Sequence, residues 1–73
     1  MIYDPGDILK VEYPIPLWDV QIGSVDLKLI KFLDVDELCC VISGENMSIY
    51  VCAGGTVGYI SGAGVKFIDK MVL

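Results

Sequence analysis

Histidine and arginine are both missing from this 73-residue sequence. Without histidine the chain lacks the commonest general base and the commonest metal ligand. Without arginine the positive charge rests on five lysines, against ten carboxylates, for a net charge of −5. Phosphate backbones are held by clustered lysine and arginine, so no nucleic-acid partner is expected. An anionic membrane surface is disfavoured for the same reason. Long apolar runs are also lacking. Leu38 to Ile42 is a run of five residues, against the ~20 that a spanning helix needs. There is no repeat period and no low-complexity tract. The first residues, Met-Ile-Tyr-Asp-Pro-Gly-Asp, show no basic stretch leading into an apolar one, so no signal peptide is expected.

Cysteine is sparse and odd in number. Three thiols with no CxxC spacing suggest neither a zinc site nor a disulfide framework, but reduced thiols in a cytoplasmic setting. No cofactor or metal is expected. Asp34, Asp36 and Glu37 place three carboxylates in four residues. A calcium loop draws six to eight oxygens from a longer segment pivoting on glycine, so these read as a solvated turn. The cysteines and serines have no histidine or arginine to activate them. No catalytic residue emerges, and an enzyme is not expected.

What the sequence does have is hydrophobicity: 55% apolar residues and a mean hydropathy of +0.65, too much for a disordered chain. Seventy-three residues make a single domain, 1–73. A domain this small buries roughly 60% of its unfolded surface and has little core to spare. Eight glycines and three prolines divide short runs rich in Val, Ile, Leu, Tyr and Cys, the punctuation of an all-β fold. Asp4-Pro5-Gly6-Asp7 predicts a turn. Ile8 to Tyr13 alternates, with Leu9, Val11 and Tyr13 on one face. Pro14 and Pro16 predict a long irregular loop or edge segment to Ser24 that carries Leu17, Trp18 and Ile22. Leu27 to Leu33 follows as a strand with a bend or bulge near Ile30. Glu37 to Ser43 and Met47 to Ala53 predict a hairpin with its tip at Glu45-Asn46. That register sets Cys39 opposite Cys52 and Val41 opposite Tyr50. Ala53-Gly54-Gly55 turns into a strand over Thr56 to Ile60. A small-residue turn, Ser61 to Gly64, precedes a closing strand over Val65 to Ile68 and an apolar tail, Asp69 to Leu73.

Gly55-Thr56-Val57-Gly58-Tyr59-Ile60, then four small residues, then Val65, resembles the closing segment of SH3-like domains. The earlier order is similar to bacterial SH3 domains: a first strand, a loop with proline, a strand ending in an acidic turn, then a strand pair. The resemblance covers roughly residues 7–68. It implies a small SH3-like barrel of five to six short antiparallel strands. The ligand site of that family does not carry over, because Ser61 to Gly64 holds neither the proline nor the tyrosine of the peptide-binding type.

A hairpin with one exposed face should alternate apolar with polar. This one is apolar at both parities: Leu38, Cys40, Ile42, Ile49 and Val51 on one, Cys39, Val41, Tyr50 and Cys52 on the other. A small barrel has one core, so the second face needs cover. The expectation is a protein–protein interaction module, a subunit of an oligomer or of a larger cytoplasmic or viral assembly. Val41 and Tyr50 would lie at the contact, with Trp18, Tyr13 and Tyr59 as further partner-binding residues. The alternative is an adaptor that takes extended peptide or glycan ligands on Trp18 and the tyrosines.

Overall fold

A computed structural model describes residues 3–20, 22–45 and 48–71. They form seven strands: β1 (Asp7–Val11), β2 (Ile15–Trp18), β3 (Leu29–Leu33), β4 (Leu38–Glu45), β5 (Ser48–Ala53), β6 (Thr56–Ser61) and β7 (Val65–Lys70). All pairings are antiparallel, in the order β3-β2-β6-β5-β4-β1-β7. The sheet curls into a half-barrel whose two edges are β3 and β7. The all-β expectation holds. The count is seven, not five to six, and the sheet is open.

The extra strand comes from the proline-bearing loop. Ile15 to Trp18 alternates between buried and half-buried positions and pairs with β3 along its length. On the β6 side it makes one pair, Trp18 with Tyr59. At Pro16 the strand therefore has a neighbour on one side, where a missing N–H is tolerated. Opposite it, the register moves from Leu17–Lys31 to Trp18–Leu29, leaving Ile30 as the extra residue of the expected bulge.

Local turns follow their chemistry. Asp7 N–H donates to Asp4 O at 3.0 Å around Pro5-Gly6, with Gly6 at φ 93°. Gly54 and Gly55, at φ 57° and 81°, join Ala53 to its partner Thr56 in a two-residue turn. Ser61 to Gly64 closes as a simple turn into β7, which runs on through Asp69 and Lys70 rather than releasing them as tail.

The hairpin register differs from the expected one. Glu45 pairs with Ser48, so it belongs to the ladder and not to the tip, and a bulge between Val41 and Ser43 adds an offset at Ile42. Asn46 of the expected tip, its neighbour Met47, and Val72 and Leu73 of the expected tail lie outside the described residues. Cys40, not Cys39, is opposite Cys52, and Val41 is opposite Val51, not Tyr50. A one-residue slip reverses the face of every partner. The core side of the hairpin is thus Cys39, Val41, Ile49, Val51 and Ala53, joined by Leu9, Val11, Ile15, Leu17, Leu33, Ile60 and Val65.

Candidate interaction surface

A group of apolar residues outside the core lies together on the outer face of the sheet. Trp18 is paired with Tyr59, and Tyr59 with Tyr50. Directly opposed residues of antiparallel strands project to the same side. The three aromatics therefore form a row across β2, β6 and β5, each half-buried. The two tyrosine rings lie 4.8 Å apart, tilted by 36°, a favourable aromatic contact. Leu29 extends the row on one side, as the partner of Trp18. Val57 and Cys52 form the next pair along β6 and β5. Leu29, Val57, Leu38 and Ile42 are 47%, 45%, 53% and 41% exposed.

Gly58 lets β2 reach this position. A Cβ there would lie 2.7 Å from Leu17 Cγ and 2.8 Å from Trp18 O. With only hydrogen in that space, Leu17 enters the core and Trp18 comes alongside Tyr59. The connection from β2 to β3 is tied at its base: Asp19 N–H donates to Lys28 O at 3.0 Å, and Lys28 N–H to Asp19 Oδ1 at 2.9 Å. Its Ile22 N–H donates to Ser48 Oγ at 2.8 Å, anchoring it to the strand that carries Tyr50.

Two expected contact residues lie elsewhere. Val41 is 1% exposed and belongs to the core, because the hairpin register sends it inward. Tyr13 falls beyond β1, with its ring over Gly64, where a Cβ would lie 3.1 Å from two ring atoms. Trp18, Tyr50 and Tyr59 are the expected residues that the fold brings together. Leu29 and Val57 join them without having been singled out. Val57 was readable from the two-residue spacing to Tyr59; Leu29 depended on the bulge at Ile30.

The acidic segment is a pinned turn. Val11 and Asp36 hold it through Val11 N–H to Glu37 O at 2.9 Å and Asp36 N–H to Val11 O at 2.8 Å. Lys10 meets Asp36 at 3.2 Å and Lys31 meets Glu37 at 3.8 Å. Among the described residues no group of three or more His, Cys, Asp or Glu side chains is placed to hold a metal ion. Burial pushes the Cys39 thiol up to about 11, helped by the nearby Glu37 charge, which leaves it a poor nucleophile. No helix among the described residues is long and apolar enough to cross a membrane. Comparison of the chain with protein-family models, with curated proteins and with solved structures finds no match in any of the three.

Proposed function

We propose that this chain is a non-enzymatic protein–protein interaction module, working as a small subunit of an oligomer or larger assembly in the cytoplasm or in a virus particle. The observation that carries this is the aromatic row Trp18–Tyr59–Tyr50 with exposed Leu29, Val57, Leu38 and Ile42 around it. Apolar patches rimmed by polar residues mark contact surfaces, and tryptophan and tyrosine are the usual anchors of such contacts. An SH3-like fold is supported by chain order: a first strand, a long excursion, a three-strand meander β4-β5-β6, and a last strand returning to β1.

Tyr50→Lys tests the reading. Tyr50 lies on the outer face, so the variant is expected to stay folded by circular dichroism. It should weaken association by about 30-fold, the equivalent of ~2 kcal/mol, seen by sedimentation of the chain alone or with co-purifying partners. Loss of the β signal would place Tyr50 among the groups that hold the fold and sink the proposal.

A second reading is favoured by the aromatic row itself. Three aligned rings could seat an extended peptide or a glycan. A chain that sediments as a clean monomer, and whose Trp18 fluorescence changes on adding peptide, would support this adaptor role over the assembly role.

A further inference from the structure

We propose that Cys40 and Cys52 form an intramolecular cross-strand disulfide on the outer face of the sheet, by exchange with a low-molecular-weight disulfide such as oxidised glutathione. The two residues are directly opposed on β4 and β5, with Cα atoms in register. Antiparallel partners have Cα atoms about 4.5–5.5 Å apart, inside the range of about 4.4–6.8 Å that a disulfide spans. Both are half-buried and carry free thiols. They occupy one outer row with Ile8 and Val57. Cys39 is buried on the opposite side and takes no part.

The exchange balances in two steps. One protein thiolate attacks a sulfur of oxidised glutathione; that S–S bond breaks and one glutathione thiolate leaves. The second protein thiolate attacks the protein-side sulfur of the mixed disulfide and expels the other glutathione. The protein loses two electrons and two protons, and both glutathiones gain them as thiols. The pair shares its face with the aromatic row, so the bond forms in the free chain. It would fix β4 to β5 beside Tyr50.

The test incubates the full chain with excess oxidised glutathione, then counts thiols under denaturing conditions and measures intact mass. The wild type should keep one of its three thiols, become lighter by a pair of hydrogens and stay monomeric on non-reducing electrophoresis. Cys39→Ala should form the same bond and keep no thiol. Cys40→Ser and Cys52→Ser should form no internal bond and instead carry glutathione on the remaining outer cysteine. Three free thiols in the treated wild type, glutathione on both outer cysteines, inter-chain dimers, or an internal bond in Cys40→Ser would each overturn the proposal.

Discussion

At the scale of single residues, Gly58 shows how little space separates a docked strand from a displaced one. Its φ is ordinary, so its role is steric. An added methyl would meet Leu17 Cγ at 2.7 Å and the backbone oxygen of Trp18 at 2.8 Å. Leu17 could rotate away, but a backbone oxygen moves only with its strand. Gly58→Ala is expected to cost about 1–3 kcal/mol in denaturant unfolding and to shift Trp18 emission as β2 lifts from β6. Gly62→Ala is the control: its Cβ would meet Ile49 Cδ1 at an ordinary 3.7 Å, and a change within about 0.5 kcal/mol is expected. Gly58-Tyr59-Ile60 stood out in the sequence as a motif. Its physical reason did not, because the residue that fills the missing side chain's space, Leu17, directly follows Pro14-Ile15-Pro16, which reads as a loop or edge segment.

At the scale of elements, β1 and β7 are joined at one end by a buried charge. Asp7 is 5% exposed. Its Oδ2 accepts the Asp4 N–H at 2.8 Å, and its Oδ1 meets Lys70 Nζ at 3.0 Å. The Asp4 hydrogen bond first, and then Lys70, hold its carboxyl below the ordinary 3.8. A lowered folded value means stabilisation that is present above the unfolded value and lost as pH falls through the folded one. Asp7→Asn should therefore flatten the loss of stability below about pH 4, read as urea midpoints across the acid range. An unchanged acid slope would assign that loss to other carboxylates. Turns with a dedicated chemistry, such as Pro5-Gly6 and Gly54-Gly55, were legible in the sequence, as was the bulge at Ile30. The bulge at Ile42 carries no compositional mark, and missing it turned β5 over and sent Val41 to the wrong side. Pro16 hid β2 because a position paired on one side only, as Pro16 is, can accept a residue that a position paired on both sides cannot.

At the scale of the whole molecule, the two-sided apolar character of the hairpin was legible and is reflected in the structure: Val41, Ile49 and Val51 are buried, and Leu38 and Ile42 are exposed on the other side. That the sheet stays open was not legible, because closure depends on whether β3 and β7 meet, and neither strand records that in its own residues. The order of the sheet also has a kinetic side. β4, β5 and β6 pair with their neighbours in sequence, whereas Leu9 of β1 pairs with Cys39 and with Phe67. Distant pairing carries a loop-closure cost before it returns any contact energy. The meander is thus expected to nucleate folding, with β1 and β7 added after the main barrier. Val51→Ala should slow refolding, and Val65→Ala should chiefly speed unfolding, both followed by stopped-flow Trp18 fluorescence. Equal effects on the two rates at both sites would contradict that sequence of events. A strand whose partners come so late in the chain waits unpaired in every newly made copy, and for that interval Leu9 and Val11 are open to a neighbouring chain before they are open to their own.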